Sequence, residues 1–242
     1  MLLKVLSMMV EGDRQCIMKG GGRPTDNCLT ESRRKVLEYI VGEYSSTSSE
    51  RFAKVLEYLK DVEESLGNSG LDYLSIKMTT RSNMVLGWSP LYFVSEVPIA
   101  WDMILDTFYV PASAVKGIVK SSLSVAGSGC VEELMGSRDG IGRAIVLDAY
   151  PVGAEGRALT LDVLTPHYRP EVRDGNEYDV RPIPIPHVVV SPGVRFRTFL
   201  AYRPGGKCDA RRELEEALRL SAELGWGRRT TRGYGVMEVS IS

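Results

Sequence analysis

The order of apolar patterns after residue 70 constrains the fold of this chain more than any other feature of its sequence. Strand-like segments lie on either side of two amphipathic helices, one that follows Pro111 and one that Asp209 is placed to cap. The resulting order, β-α-β-β-(β)-α-β, matches a ferredoxin-like split βαβ unit. We therefore predict an α+β fold of the ferredoxin-like (RRM-like) βαββαβ type, with two helices behind the sheet and one sheet face open. Folds with this geometry often hold single-stranded RNA.

Residues 1–69 are predicted to form an N-terminal loop and a helical extension packed on the core, and residues 70–242 a ferredoxin-like RNA-binding domain. Helical spacing is found over about 30–41 and 47–66, where Thr47 and Glu50 form a capping box. Residues 1–28 show no convincing period, and we expect a loop around the glycines and proline there. The segment 165–186 contains five prolines, so we predict an insertion rather than a central strand.

Composition excludes several classes of protein. The 30 basic and 31 acidic residues nearly cancel, so any nucleic-acid role must depend on local basic clusters. No apolar stretch approaches the roughly 20 residues of a membrane helix, and the first residues do not resemble a secretory signal. The four cysteines form no CxxC pair and have no histidine at zinc-ligand spacing. We therefore expect a cytoplasmic protein with reduced thiols, no metal and no cofactor.

The most informative segment is GWGRRTTRGYG, residues 225–235, which joins the end of a helix to the start of a strand. Glycine allows positive φ and close approach of a ligand, and successive N–H groups in such a loop can bind an anion. Three arginines without an acid add affinity for phosphate, and either Trp226 or Tyr234 could stack on a base. The alternative is a helix cap followed by a turn with solvated arginines. The candidate RNA-binding residues here are Gly225, Gly227, Arg228, Arg229, Thr230, Arg232, Gly233 and Tyr234.

Four motifs carry a resemblance to a known family. GWGRRTTRGYG resembles the C-terminal glycine-rich loop of the CRISPR-associated RAMP proteins, and YVPASAVKG at 109–117 resembles a second motif of theirs, with Ala112 in place of a glycine. LDAYP at 147–151, and DVLTPHY at 162–168 followed by PIPIP at 182–186, are similar to one subfamily. That subfamily is the sixth subunit of the type III-B (Cmr) RNA-targeting complex. The matches span residues 109–235.

The resemblance implies a non-catalytic RNA-binding subunit of a CRISPR ribonucleoprotein that acts in antiviral defence. It implies contact with the guide RNA towards its 3′ end and with neighbouring RAMP subunits and a small helical subunit; target RNA is a second candidate partner. Lys116 is carried over from the second motif, and Lys120 shares its helix face. Both are candidate phosphate contacts, although a solvated helix surface would use the same residues. His167, Tyr168 and Arg169 in the proline-rich segment are further candidate RNA contacts.

Two other hypotheses remain open on the sequence. His167 and His187 could cleave precursor RNA by metal-independent acid–base catalysis if one of them lay near the glycine-rich loop. Asp139, Asp148 and Asp162 could hold a metal, but their spacing favours structural roles, and we expect Asp148 to accept hydrogen bonds from backbone or an arginine. Alternatively, the helices within 30–66 dock a neighbouring protein and contact with RNA is incidental.

Overall fold

The structure is a computed structural model that describes residues 2–21, 26–44, 49–86, 99–164 and 184–242. The helices are α1 (Leu2–Lys19), α2 (Asp26–Glu43), α3 (Ser49–Gly67), α4 (Ala112–Val125), α5 (Val131–Met135) and α6 (Ala210–Leu224). The strands are β1 (Asp72–Thr80), β2 (Trp101–Asp102), β3 (Thr107–Phe108), β4 (Ala144–Val146), β5 (Tyr150–Ala154), β6 (Leu159–Leu164), β7 (Ile185–Val190), β8 (Val194–Tyr202) and β9 (Met237–Ile241).

The main sheet confirms the predicted α+β ferredoxin-like fold. Its strand order is β4-β8-β1-β9, and β5 also pairs with β8 beyond β4. Every pairing is antiparallel, with Ile76 of β1 opposite Thr198 on one side and Ile241 on the other. The first strand is therefore central and the last strand lies at the edge, as expected when two βαβ halves interleave. Two separate two-stranded sheets, β2–β3 and β6–β7, flank this core.

Strand alternation divides the sheet into two faces. Leu74, Ile76 and Met78 of β1 are buried in one core with Val115 of α4 and Leu214 of α6. Both helices begin and end close to where the sequence predicts, and the Asp209 side chain accepts a hydrogen bond from the Arg212 N–H at the start of α6. The predicted pair of helices behind the sheet is confirmed.

The opposite sheet face is covered by α3, so the expectation of one open face is wrong over this part of the sheet. Val55 and Leu59 of α3 form a second buried cluster with Tyr150 and Phe199. At the edge of this contact the Arg197 guanidinium donates a 2.6 Å hydrogen bond to Glu63. Because α3 buries these aromatic rings, they cannot stack on RNA bases as rings on an open sheet would.

The N-terminal region is more helical than predicted. Residues Leu2–Lys19 form α1 although the sequence shows no convincing period there, with Val5 and Cys16 buried and the helix packed against α2. The predicted stripe of α2 is confirmed, since Val36, Leu37 and Ile40 are buried. Thr47 of the capping box lies outside the described residues. The division at residue 69 stays a prediction.

The cysteines correct the expectation of reduced thiols. Cys16 pairs with Cys28 across the α1–α2 hairpin, and Cys130 pairs with Cys208, with Cα–Cα distances of 5.6 and 5.9 Å. The second pair is separated by 78 residues, so local spacing could not reveal it. Both Cα–Cα distances lie in the range that a disulfide requires.

The apolar run RAIVLDAY at 143–150 predicts one continuous strand, but the structure divides it between β4 and β5 for a structural reason. The chain leaves β4 after Val146 and resumes pairing as β5 at Tyr150. Between them, Ala149 exchanges two backbone hydrogen bonds with Val110, and the Asp148 carboxylate accepts a 2.5 Å hydrogen bond from the Ala112 N–H. Residues 148–149 thus form hydrogen bonds with the start of α4 and the residues before it, rather than with a strand of the main sheet. This confirms the expectation that Asp148 accepts from backbone.

Most of the proline-rich segment, residues 165–183, falls in a part of the chain that the structure does not describe. Its end forms β7, in which Pro186 sits opposite Val163 of β6. Proline is tolerated there because β6–β7 is a two-stranded pair outside the main sheet. Over the described residues, no helix has the length and apolar character needed to cross a bilayer.

Candidate nucleic-acid interface

Trp226 fixes the glycine-rich loop to the core. Its side chain is fully buried, and its indole N–H donates to the Ser221 hydroxyl at 3.1 Å. Its backbone N–H donates to the Gly235 carbonyl at 2.8 Å, which brings the two ends of the loop together. A fully buried ring cannot stack on a nucleotide, so the prediction of base stacking is wrong for Trp226.

Two glycines of the loop are required by close backbone packing. At Gly235, with φ +74°, a Cβ atom would stand 1.8 Å from the Trp226 carbonyl oxygen. At Gly227, with φ +88°, it would stand 2.5 Å from the Val85 carbonyl oxygen. The segment 83–85 accepts hydrogen bonds from the N–H groups of Arg228 and Gly235. The prediction that successive N–H groups are free to bind an anion is therefore wrong for Trp226, Arg228 and Gly235.

The three arginines of the loop keep their charge unpaired. Arg228 and Arg232 are exposed and Arg229 is half-buried. None of the three guanidinium groups makes a hydrogen bond or ion pair with a residue in the described part of the chain. Arg229 has φ +64° and starts a short 3₁₀ turn, Thr230–Arg232, which ends at the exposed Gly233 with φ +84°. The turn thus presents several cations over a few residues, an arrangement suited to phosphate oxygens.

Tyr234 connects the loop to β6. Its hydroxyl donates to the Asp162 carboxylate at 2.7 Å, which raises the pKa of the Tyr234 phenol above its usual value. Partial burial acts to raise the pKa of Asp162, but the hydrogen bonds from Tyr234 and the Val163 N–H outweigh it and hold this pKa below the ordinary value. Asp162 is therefore a charged anchor for the loop. The spacing of Asp162 favours a structural role over metal binding, and the hydrogen bond from Tyr234 gives it such a role.

His187 lies beside this anchor, opposite Asp162 in the β6–β7 register. Its side chain has no exposed surface, and neither ring nitrogen has a hydrogen-bond partner among the described residues. Burial lowers the pKa of His187 most and the Arg229 charge lowers it further, against opposing effects of the Ile185 backbone and the Asp162 charge. The imidazole is therefore neutral near pH 7. One histidine does lie near the loop, but it is closed to solvent.

A cleft of about 400 Å³ separates the loop from α4. Small side chains on one flank of the helix, Ala114, Gly117 and Ser121, form one wall. The other wall comes from the loop and includes Gly225, Gly227, Arg228 and Thr230. These four residues of the predicted RNA-binding set line the cleft, whereas Arg229, Arg232, Gly233 and Tyr234 do not. Ile118 also lines the cleft on the helix side, and the small side chains beside it leave room for an extended polymer.

The remaining predicted residues do not join this cleft. Lys116 and Lys120 lie on a neighbouring flank of α4 and line a different cleft with residues 135–142. His167, Tyr168 and Arg169 lie outside the described residues. Among the described residues, no group of three His, Cys, Asp or Glu side chains is placed to hold a metal ion.

Both the fold and the loop point to one class of protein. The RAMP superfamily model matches residues 89–238, more than half of the sequence. The chain therefore belongs to the RAMP superfamily. The match includes the glycine-rich loop, α4 and most of the main sheet, so the resemblance inferred from the four motifs is confirmed.

Within this superfamily, the chain is similar to one named protein in sequence and to a chain of one solved complex in structure. The chain is 29% identical over 211 residues to the CRISPR system CMR subunit Cmr6 of Saccharolobus solfataricus, covering 86% of this chain and 71% of that protein. It also matches a chain in the cryo-EM structure of the type III-B Cmr-beta bound to cognate target RNA. That match has a TM-score of 0.76 and 26% sequence identity, and covers 90% of this chain and 76% of the other.

Proposed function

We propose that this protein is a non-catalytic RNA-binding subunit of a type III-B CRISPR ribonucleoprotein. It contacts the guide RNA towards its 3′ end and packs against neighbouring RAMP subunits. The observation that carries the proposal is the glycine-rich loop, in which Arg228, Arg229 and Arg232 have no partner among the described residues and stand on a frame fixed by Trp226. The similarity to the Cmr6 subunit and to a chain of the target-bound Cmr-beta structure supports the assembly part of the proposal.

The loop binds the sugar–phosphate backbone rather than the bases. Arginine donates to phosphate oxygens with charge-assisted hydrogen bonds, and such contacts do not depend on sequence. Tyr234 is the loop's remaining candidate for stacking, and its hydroxyl is already engaged by Asp162. A subunit that holds any guide sequence needs this kind of contact. The bound RNA is therefore recognised by its charge and path.

The rival function is a metal-independent endoribonuclease. It requires a histidine that reaches the RNA, and His187 has both ring nitrogens buried without access to solvent. A general base must come within hydrogen-bond reach of the proton that it removes. Incubation of purified protein with precursor RNA in EDTA separates the two functions. We expect intact RNA, and cleaved product would favour the nuclease.

The proposal also places the protein in the cytoplasm, where guide RNA is made and held. Its two disulfides do not oppose this location. Structural disulfides are rare in most cytosolic proteins, but intracellular proteins of hyperthermophilic archaea and bacteria are rich in them.

The direct test is recovery of the tagged protein from its host at moderate salt, followed by sequencing of bound RNA and mass spectrometry of bound proteins. We expect short RNAs with a repeat-derived tag, together with other RAMP subunits. In the variant Arg228→Ala with Arg229→Ala, less RNA should be recovered, while thermal unfolding stays unchanged because both side chains lack partners among the described residues.

The control is Arg212→Ala with Arg219→Ala on α6, which also removes two arginines, but exposed ones that form ion pairs. This control should retain RNA. Recovery of no RNA with the unmodified protein would refute the proposal. Recovery of unprocessed repeat transcripts without partner subunits would favour the nuclease.

A further inference from the structure

We infer that α4 carries a second phosphate-binding site on the flank away from the glycine-rich loop, and that one RNA strand crosses α4 between the two. The second site is the cleft lined by Lys116, Lys120 and Arg138, and we call it the lysine cleft. The inference rests on the proposed function and deepens it. Arg138 belongs to none of the sequence motifs, and it lies near the two lysines only because of the fold.

The lysine cleft has a volume of about 480 Å³ and lies between α4 and the loop 136–142. All three cationic side chains are exposed, and no acidic side chain lines the cleft. Lys116 and Lys120 are one turn apart, a rise of about 6 Å along the helix. The Lys120 ammonium group lies 3.4 Å from the Gly136 carbonyl oxygen, which keeps it at the cleft. Three cations in one groove, none with an acidic partner among the described residues, suit an extended polyanion.

The loop that presents Arg138 is held in place by its own backbone. Gly142 packs so closely that a Cβ atom there would stand 2.4 Å from the Leu134 carbonyl oxygen. The Ser137 N–H donates to the Gly140 carbonyl at 3.0 Å, and the Asp139 N–H donates to the Ser137 hydroxyl at 3.2 Å. Arg138 therefore sits on a defined turn, and less conformational entropy is lost when it binds a ligand.

Both ends of this loop are fastened to the segment before α6. The Glu133 carboxylate accepts hydrogen bonds from Arg143 and from the N–H groups of Lys207 and Cys208. The side-chain hydrogen bond from Arg143 lowers the pKa of Glu133 most. The disulfide between Cys130 and Cys208 joins the same two segments. The frame around the lysine cleft is thus pre-formed.

The surface between the two clefts is suited to a passing strand. The outer face of α4 carries small side chains, Ser113, Gly117 and Ser121, and the 14-residue helix contains no acidic residue. Nothing lies within 4 Å of the position that a Cβ would take at Gly117. A sugar–phosphate backbone can therefore approach the helix closely between Arg228 on one side and Lys120 on the other.

The test measures binding of uridylate oligomers of increasing length to the full chain by fluorescence anisotropy at several salt concentrations. The lysine-cleft variant is Lys120→Ala with Arg138→Ala, the glycine-loop variant is Arg228→Ala with Arg229→Ala, and the control is Arg212→Ala with Arg219→Ala. If the strand crosses α4, the lysine-cleft variant binds the shortest oligomers as the unmodified protein does. For longer oligomers, this variant no longer binds more tightly as the oligomer lengthens. The slope of the logarithm of its affinity against the logarithm of salt concentration becomes shallower by about 1.4, the value for two phosphates.

The outcomes separate the two proposals. If the lysine-cleft variant matches the control at every length while the glycine-loop variant loses affinity, the second site is refuted and the proposed function stands. If neither variant differs from the control, both are refuted. If the lysine-cleft variant loses affinity equally at all lengths, the crossing path is refuted, because the cleft would then be the first point of contact. Thermal unfolding of each variant shows that the fold is retained.

Discussion

The outer surface of α6 and the loop that follows it carry similar numbers of arginines in opposite electrostatic states. On α6, Arg211 pairs with Glu215 at 2.9 Å, Arg212 with Glu216 at 3.0 Å, and Arg219 with Glu215 at 3.5 Å. In the loop that begins at Gly225, none of the three arginines pairs with a described residue. Two adjacent segments of one chain therefore differ in the charge that they offer to a ligand.

This difference shows why net charge is a poor guide to the function of the chain. The formal charge is −1, and Arg211 and Arg212 are each paired with a glutamate one helical turn away. Such exposed pairs contribute little to the stability of a helix. They reduce the positive charge that α6 offers to a ligand, whereas the arginines of the glycine-rich loop have no such partner among the described residues.

The largest expected effect tests whether α6 and the loop form one unit. Trp226→Ala removes the largest fully buried side chain among the described residues and should lower the free energy of unfolding by about 3–5 kcal/mol. RNA binding should be lost with it, because the loop is no longer held to Ser221. Denaturant unfolding measures the first effect and anisotropy the second. Arg232→Ala is the control and should unfold as the unmodified protein does; equal stability of both variants would contradict this account of the loop.

A pair of glycine variants compares backbone strain with steric contact. Both Gly235 and Gly233 have positive φ, so alanine at either position costs about 1 kcal/mol or more. Only at Gly235 would the added Cβ collide with the Trp226 carbonyl, since nothing lies within 4 Å at Gly233. We expect Gly235→Ala to lower the free energy of unfolding by about 3 kcal/mol and Gly233→Ala by about 1 kcal/mol. Equal losses would show that the two ends of the loop are not in contact.

The next largest expected effect is a pH dependence of the free energy of unfolding that comes from His187. Because burial lowers its pKa in the folded protein, the unfolded chain binds a proton first as the pH falls below about 6.5. The stability contribution is thus complete above that pH and is lost as the pH falls towards the lowered pKa, with a slope of up to about 1.4 kcal/mol per pH unit. Asp162, Arg229 and Tyr234 are the charged or titratable groups that face this region.

The variant His187→Phe should remove this slope from the stability profile measured between pH 5 and 7. An unchanged slope would mean that other groups produce it. The variant Tyr234→Phe is the control, since it keeps the histidine and removes only the phenol hydroxyl.

The smallest expected effect comes from a variant in which the arginines of α6 lose their acidic partners and so resemble those of the loop. Glu215→Gln with Glu216→Gln leaves Arg211, Arg212 and Arg219 without acidic partners and should cost no more than about 1 kcal/mol of stability. If unpaired charge is what distinguishes the loop, this variant should bind RNA a few-fold more tightly at low salt and lose the gain at high salt. Unchanged affinity at low salt would show that geometry, and not pairing, makes the difference.

The sequence predicted the main sheet well because its signals are local. Alternation in β8, the cap at Asp209 and the stripe of α4 each follow from neighbouring residues, and their order fixes the ferredoxin-like topology. The interruption of the strand at Asp148 was not predictable in this way. It depends on the N–H of Ala112, which is far away in sequence.

The candidate site was predicted in part, for the same reason. The glycines and arginines of the loop were identified from their composition, but the burial of Trp226 and the anchor of Tyr234 on Asp162 depend on β6 and the core. The covering of the sheet by α3 is also a tertiary effect, since an amphipathic helix does not reveal which surface it packs on. Arg138 carries no motif and reaches the lysines only through the fold.

The measurement that tests the central claim most directly is the salt dependence of RNA binding for two triple variants. One replaces Arg228, Arg229 and Arg232 with alanine, and the other replaces Arg211, Arg212 and Arg219. The account predicts that the loop variant loses about 2 from the log–log salt slope, the value for three phosphates on a single strand, and that the α6 variant keeps the slope of the unmodified protein. Equal slopes for the two variants would contradict it.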